Sequence, residues 1–272
     1  MSVADWVNER LLPFGASGDG VLVGEIVPRG FEAYARILHP ARRRVGDRYE
    51  PIRWVDLARE RGKRIHPEVQ LKALLGEEFR DAPQWGELPA EGSIPDELAI
   101  PLIEVLEGHT AAPDRCLFCI WDGFGVWQEG GDYVLAKPGW RGRVQRRAMR
   151  REARRRARRS QAELSLIPRV RIHPSPDGRG ALREYFLFRG ALGAATAFRD
   201  VAGRHFPSPN IWWPEDRSWV VVSEIDAPCT YVGGPVQLVR AVIGEARLEV
   251  VSSDLSHRFD WLGDRINRPD LP

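Results

Sequence analysis

The sequence predicts an α+β fold with a mixed or antiparallel sheet, and three observations lead to this prediction. Segments with helical periodicity cluster in residues 52–108, whereas short runs rich in β-branched and aromatic residues lie on both sides of them. Helices and strands therefore do not alternate along the whole chain, as a parallel α/β fold would require. Towards the C-terminus, the order strand, helix, strand predicts a βαβ-like unit.

The first half of the chain is predicted to contain four helices and four strands. The helices have apolar residues at intervals of three or four, and the strands are short apolar runs bounded by Gly or Pro. We expect the first two strands to pair in antiparallel, because a Pro-Arg-Gly turn separates them. The predicted helices are 2–12, 52–63, 66–78 and 92–110, and the predicted strands are 20–28, 33–40, 115–127 and 131–136.

The second half is predicted to begin with a loop and to end with the strand, helix, strand unit. Residues 230–234, with the sequence TYVGG, are predicted to be a turn that leads into the last helix. The predicted strands are 183–190, 219–226 and 245–254, the predicted helices are 191–203 and 233–244, and the predicted loops are 171–180 and 205–219.

The length of 272 residues predicts a single domain or two tightly packed lobes. We place an N-terminal lobe at 1–136, a variable basic insert at 137–180 and a C-terminal lobe at 181–272. No apolar run is long enough to span a membrane, and the N-terminus lacks the pattern of a secretory signal. Three cysteines are too few for a disulfide framework, so we expect a reduced, cytoplasmic protein.

A basic segment, RGRVQRRAMRREARRRARRS, occupies residues 141–160. Residues 141–159 carry a net charge of +10, while the whole chain carries +2, so the remainder is acidic at −8. Nucleic-acid binding through this segment is one interpretation, since arginine suits phosphate, although no aromatic residue is present to stack on bases. We favour a solvated or self-docked insert, and contact with an acidic protein or a lipid surface is a third interpretation. The arginines that would contact nucleic acid are Arg143, Arg146, Arg147, Arg150, Arg151, Arg154, Arg155 and Arg158.

Weak catalytic candidates are three acidic residues at strand ends. Glu224 and Asp226 are two residues apart, so they would project from one face of a strand, and Asp122 follows a buried strand. The following turn would present Thr230, Tyr231, Gly233 and Gly234 as an anion- or ligand-binding segment before a helix N-terminus. The alternative is that all these residues serve ordinary turns and solvent-facing positions.

No other motif predicts catalysis, and we expect no cofactor and no bound metal. The sequence has no nucleophile elbow, no metal-binding histidine pair and no phosphate-binding lysine motif. Cys116 and Cys119 form a single C-x-x-C without the second pair that a structural zinc needs, so they are predicted to be buried thiols.

Several motifs resemble those of a family of bacterial proteins from high-GC genomes with no assigned activity. The resemblance rests on PNIWWP (209–214), DRSW (216–219), EID (224–226) and TYVGG (230–234), although the family more often has Ser where this chain has Cys229. The stretch GSIPDELAIPLIEVL is also similar to a segment of the SUKH superfamily of immunity proteins. The second likeness implies a protein that binds another protein.

These observations favour a non-catalytic binding or interaction protein, immunity-like in character, with an unidentified protein partner. The first alternative is a nucleic-acid-associated protein that binds through the arginine-rich segment. The second is a hydrolase or transferase that uses Asp122, Glu224 and Asp226 around the TYVGG turn. The enzyme hypothesis requires these carboxylates to converge.

Overall fold

The α+β prediction is confirmed by the computed structural model, in which every paired strand of the two sheets runs antiparallel to its neighbours. The structure describes residues 2–15, 18, 20–79, 85–124, 164–175, 177, 181–198 and 208–268. Within these residues there are five α-helices and eleven strands. None of the helices found there combines the length and the apolar character that a membrane crossing requires.

The helices are α1 Asp5–Asn8, α2 Trp54–Glu60, α3 Leu71–Leu75, α4 Asp96–Glu107 and α5 Val236–Gly244. The strands are β1 Ala33–Leu38, β2 Ala41–Val45, β3 Arg48–Ile52, β4 Gly86–Glu87, β5 Cys116–Trp121, β6 Arg169–Pro174, β7 Ala181–Gly190, β8 Ile211–Pro214, β9 Val220–Ser223, β10 Cys229–Gly234 and β11 Val250–Ser253.

The large sheet has eight strands in the order β11-β1-β10-β9-β8-β5-β7-β6. Its strands come from residues on both sides of the basic segment, and β6 lies inside the predicted insert 137–180. The division into lobes stays a prediction. The C-terminal unit runs β10, α5, β11, with β1 inserted between the two strands, so a strand, helix, strand unit is present in split form.

Both faces of the central strands β8, β9 and β10 are buried, and alternate residues of each strand point to opposite sides of the sheet. On β5, Leu117 and Cys119 face the core formed with α1 and the residues around Val23, whereas Cys116 and Phe118 face α4 and α5. The central strands therefore consist almost entirely of apolar residues on both faces. This explains why VVVS in β9 and CLFCIW in β5 were recognisable as strands.

A second, smaller sheet has the order β3-β2-β4 and packs beside α2 and α3. Ala41 and Ile52 anchor the base of the β2–β3 hairpin in a separate apolar cluster around Trp54. Gly46 and Asp47 form the two-residue connection, with Gly46 at a φ of 63°. Glycine at the first position of a two-residue loop is typical of a type II′ hairpin turn.

Two predictions for the N-terminal region are wrong. Residues 20–28 form a short 3-10 helix, Val23–Glu25, instead of a strand, and β1 pairs with β10 and β11. The apolar residues of 20–28 still enter the core, where Val23, Ile26 and Val27 are fully buried. Burial of a short apolar run is thus common to both conformations, so periodicity could not distinguish them.

Three predictions for the second half are also wrong. The predicted loops 171–180 and 205–219 contain β6 and β8, and the TYVGG turn is the body of β10. The prolines of these segments led to the loop prediction. Each strand ends at a proline, where the hydrogen-bonded ladder stops, so the prolines mark strand ends. The predicted helix 191–203 is a 3-10 helix, Leu192–Thr196, within the described residues.

Candidate functional site

Glu224 and Asp226, which the sequence predicts to project from one face of a strand, lie just beyond the end of β9, and both approach the same arginine. The Glu224 side chain is buried, and its Oε1 lies 2.6 Å from Nη1 of Arg183 on β7. Asp226 is 79% exposed, with its Oδ2 4.0 Å from Nη2 of the same arginine. Burial raises the pKa of Glu224, and the Arg183 guanidinium opposes that rise. Glu224 therefore has an internal partner and lacks solvent access.

The ion pair continues into a buried chain of hydrogen bonds. Arg183 donates to the Tyr185 hydroxyl, which lies 2.9 Å from Nε2 of His173. Nδ1 of His173 contacts the carbonyl oxygen of Glu25 at 3.4 Å. A carbonyl only accepts, so Nδ1 carries the proton and Nε2 accepts from Tyr185. Burial lowers the pKa of His173 to about 3, so this histidine is neutral.

Asp122 belongs to a different ion pair. β5 and β9 both run antiparallel to the intervening β8 and therefore point in the same direction. Asp122 and Glu224 follow the C-terminal ends of these two strands, on the same side of the sheet. The Asp122 carboxylate lies 3.7 Å from Nε of Arg169, while Glu224 pairs with Arg183. Burial and the nearby Glu184 raise the pKa of Asp122. The three acidic candidates thus lie at the same end of their strands, but Asp122 pairs with Arg169, whereas Glu224 and Asp226 lie near Arg183.

Thr230 and Tyr231 lie within β10, where both are buried and the backbone pairs with β1 and β9. Thr230 Oγ1 lies 2.7 Å from Ser223 Oγ and 2.9 Å from Nε2 of His39, whose Nδ1 contacts the Ala90 carbonyl. By the same reasoning on donors, Thr230 donates to His39. Burial lowers the pKa of His39 to about 4. Residues 230–231 therefore complete an internal polar network, and their ligand-binding role stays a prediction.

Gly233 and Gly234 are close-packing positions in the same strand. A Cβ on Gly233 would lie 2.9 Å from the Tyr34 ring, and a Cβ on Gly234 would lie 2.6 Å from Leu238 Cδ2. Neither glycine has a positive φ, so packing and not backbone conformation accounts for them. The glycines that suggested a phosphate-binding turn allow an aromatic ring and a helix to approach the sheet.

Sequence reasoning missed a fully buried arginine on β1. Arg36 donates from Nη1 to the carbonyl oxygens of Pro67 and Val69, and its guanidinium lies 5.8 Å from the Trp54 ring. Tyr231 is opposite Arg36 across the β1–β10 pair, and burial raises the pKa of its hydroxyl. No sequence motif marks an arginine that will be buried, so the burial of Arg36 could not be predicted from a single sequence.

The three cysteines are buried and free, which confirms the prediction for Cys116 and Cys119. Burial raises the pKa of Cys116 to about 12 and also raises the pKa of Cys119, so neither is a reactive thiolate at neutral pH. Across the described portions of the chain, no three His, Cys, Asp or Glu side chains are grouped so as to hold a metal ion. The arginine-rich residues 141–160 lie outside the described residues.

The β2–β3 hairpin is a basic surface that sequence reasoning also missed. Alternation and strand register place Arg42, Arg44, Tyr49 and Pro51 on the outer face, with Arg44 directly opposite Tyr49. The other face turns towards α2, where Arg43 forms a bidentate ion pair with Glu60. Its Nη1 lies 2.6 Å from Oε2 and its Nη2 lies 3.1 Å from Oε1 of the carboxylate. The signal was present, because Gly-Asp between two short runs is typical of a hairpin.

The arginines of the β2–β3 hairpin differ in their partners and in the face on which they lie. Arg42 has a surface ion pair, 3.4 Å from Glu87. On the outer face, Arg44 donates a hydrogen bond only to the Gly46 carbonyl, whereas Arg48 is opposite Val45 and belongs to the inner face. Among the described residues, neither arginine has a carboxylate within ion-pair distance. All three side chains are exposed. Two guanidinium groups at this hairpin are therefore available for an external anion.

The charge around this hairpin extends into α2. Residues 41–64 contain nine basic and four acidic residues, a net charge of +5. Outside this range and the segment 141–159, the chain carries −13. We call residues 41–64 the basic lobe. It is thus positively charged, while the chain outside this lobe and the segment 141–159 is acidic, and clustered positive charge attracts anions.

Comparison with protein-family models, curated proteins and solved structures finds no match to this chain. The family resemblances of the sequence therefore stay predictions.

Proposed function

We propose that this protein acts by binding a polyanionic macromolecule through the basic lobe. The observation that carries the proposal is the pair of exposed guanidinium groups at Arg44 and Arg48, which no described carboxylate neutralises. Arginine forms two-pronged bonds with phosphate and loses less hydration than lysine on contact. An acidic protein offers the same charge and is the alternative partner, in line with the immunity-like interpretation of the sequence.

The contrast with the acidic candidates supports binding over catalysis. Glu224 is paired with Arg183, and Thr230 and Tyr231 are enclosed in β10. A general acid or base must reach the proton that it transfers, directly or through one water. Among the carboxylates that we singled out, Asp226 is exposed and Asp122 is partly exposed, and each lies near an arginine.

The test is a fluorescence-anisotropy titration of the full chain with labelled single-stranded DNA, duplex DNA and heparin, at low and at physiological salt. The hairpin variant replaces Arg42, Arg44 and Arg48 with Gln. The matched control replaces Arg115, Arg189 and Arg240, which are exposed elsewhere, and removes the same charge. We expect the hairpin variant to lose about 10-fold or more in affinity and the control to lose less than about 3-fold.

Three results would overturn the proposal. Equal losses in both variants would mean that only net charge matters, and absence of binding by the unmodified chain would remove the function itself. A version with residues 141–159 replaced by a Gly/Ser linker separates the two basic regions. If the linker version alone loses binding, the arginine-rich segment is the nucleic-acid-binding element and the basic lobe is not.

A further inference from the structure

From the outer face of the β2–β3 hairpin, we infer that the basic lobe binds single-stranded nucleic acid, with Tyr49 stacking on a base. This inference rests on the proposed function and specifies its partner. Tyr49 is 39% exposed although it is a large aromatic residue on a strand. Its neighbours on the same face of β2 are Arg44, directly opposite, and Arg42, diagonally opposite, so the aromatic ring lies beside two cations.

The register determines how close these groups are. Arg44 and Tyr49 are direct cross-strand partners, and side chains in such pairs have Cβ atoms about 5 Å apart. Arg42 is opposite Pro51, one step along the same face. The face therefore offers a ring for stacking and guanidinium groups for the flanking phosphates, the combination that single-strand binding proteins use.

The surroundings of the hairpin favour this partner over an acidic protein. Glu50, opposite Arg43, belongs to the inner face, so the outer face of β2 and β3 has no acidic residue of its own. Glu87 of β4 approaches Arg42 at the neighbouring strand. A tyrosine ring can contact a protein partner of any charge. Bases in a duplex are stacked on one another, whereas the bases of a single strand are free to stack on a tyrosine ring. The ring beside the arginines therefore favours a single-stranded nucleic acid.

Among the residues that the structure describes, the packing of the lobe leaves this face exposed. Arg43 is turned inwards to Glu60, and Ala41 and Ile52 fix the base of the hairpin against Trp54. The hairpin is thus held from its inner side, and residues 42, 44, 49 and 51 are all exposed. A strand of nucleic acid can lie across the outer face without rearrangement of the apolar cluster beneath.

The experiment compares Tyr49→Ala with Tyr49→Phe in the full chain, with labelled oligo-dT and oligo-U as single strands, a duplex of the same length, and heparin. Stacking predicts that Tyr49→Ala loses about 10-fold in affinity for the single strands, whereas Tyr49→Phe stays within about 2-fold. Heparin has no bases, so its affinity should not change in either variant. The dT and U arms distinguish DNA from RNA as the preferred strand.

A Tyr49→Ala variant that binds the single strands as tightly as the unmodified chain would overturn the inference. If its loss of affinity extends equally to heparin, the ring acts on the hairpin fold and not by stacking. In either case, heparin binding that depends on Arg42, Arg44 and Arg48 would leave the proposed function standing. If the unmodified chain binds none of the four probes, both proposals fall.

Photo-crosslinking locates the contact independently of any variant. The full chain is crosslinked to an oligonucleotide with 5-iododeoxyuridine and digested with trypsin, which releases the pentapeptide 49–53, YEPIR. We expect the nucleotide adduct on this peptide. Adducts confined to peptides from residues 141–159 would contradict the inference.

Discussion

Arg183 and Arg44 are both arginines on β-strands, but they have different surroundings. Arg183 contacts Glu224, Tyr185 and the ring of Phe14, and its side chain is 15% exposed. Arg44 is exposed and bonds one backbone carbonyl. The first arginine has its charge neutralised within the fold, whereas the second contributes little to the fold. The partners of an arginine, and not its residue type, therefore decide whether its charge stabilises the fold or is open to a ligand.

Arg183→Met should have the largest effect on stability. The substitution leaves the buried Glu224 carboxylate without its cation, so we expect the free energy of unfolding to fall by about 3–5 kcal/mol. Urea denaturation measures this loss. It should be greater at pH 8 than at pH 5, because an unpaired buried carboxyl group takes up a proton at lower pH.

Arg189→Met is the control on the same strand, because Arg189 is exposed. Its expected change is within about 0.5 kcal/mol. A loss for Arg183→Met of the same small size would show that the Glu224–Arg183 pair does not stabilise the fold. The distinction between the two kinds of arginine would then disappear.

Asp264→Ala should have the second largest effect, a decrease of about 2–4 kcal/mol in the free energy of unfolding. The carboxylate is fully buried and accepts hydrogen bonds from the Gln70 and Asn267 backbone and from His66. Burial would raise the pKa of Asp264, but these hydrogen bonds outweigh it and lower the pKa. Because the folded-state pKa is depressed, this contribution is complete above about pH 4 and is lost as the pH falls through the folded value.

Acid titration of stability therefore tests the Asp264 network. The unmodified chain should lose stability more steeply below pH 4 than Asp264→Ala, as measured by urea denaturation at a series of pH values. Asp226→Asn, at an exposed position, serves as the control. Parallel curves for the unmodified chain and Asp264→Ala would contradict the proposed linkage.

Gly233→Ala should lower the free energy of unfolding by about 1–3 kcal/mol, because the added methyl group overlaps the rings of Tyr34 and Phe31. Gly193→Ala is the matched change at a glycine with open space and an ordinary φ, and should be nearly neutral. Thermal unfolding monitored by circular dichroism compares the two. Equal midpoints would mean that β10 accommodates a side chain at 233, and its packing role would be refuted.

The smallest stability change is expected for the hairpin. Replacement of Arg44 and Arg48 by Gln should alter the free energy of unfolding by less than about 0.5 kcal/mol, because neither has a buried partner. Urea denaturation checks this. A loss above about 1 kcal/mol would place both arginines among the structural ones.

The α+β class and the strands β1, β5, β7 and β9 were predictable, because apolar runs dominate their sequences. The hairpin was missed because Arg42, Arg43 and Arg44 are poor indicators of a strand, and β10 was missed because its glycines resemble a turn. The spacing of Glu224 and Asp226 predicted one shared strand face, whereas both residues lie beyond β9 and approach an arginine that the spacing did not indicate. The identity of that arginine, 41 residues away from Glu224, depends on strand order that local patterns do not determine.

The salt dependence of binding tests the central claim most directly. Oligo-dT affinity is measured over a range of salt concentrations for the full chain and for the variant with Arg44 and Arg48 replaced by Gln. Two lost phosphate contacts predict that the slope of log affinity against log salt becomes shallower by about 1.4. An unchanged slope would show that these arginines do not contact phosphate, and the basic lobe would not be the binding surface.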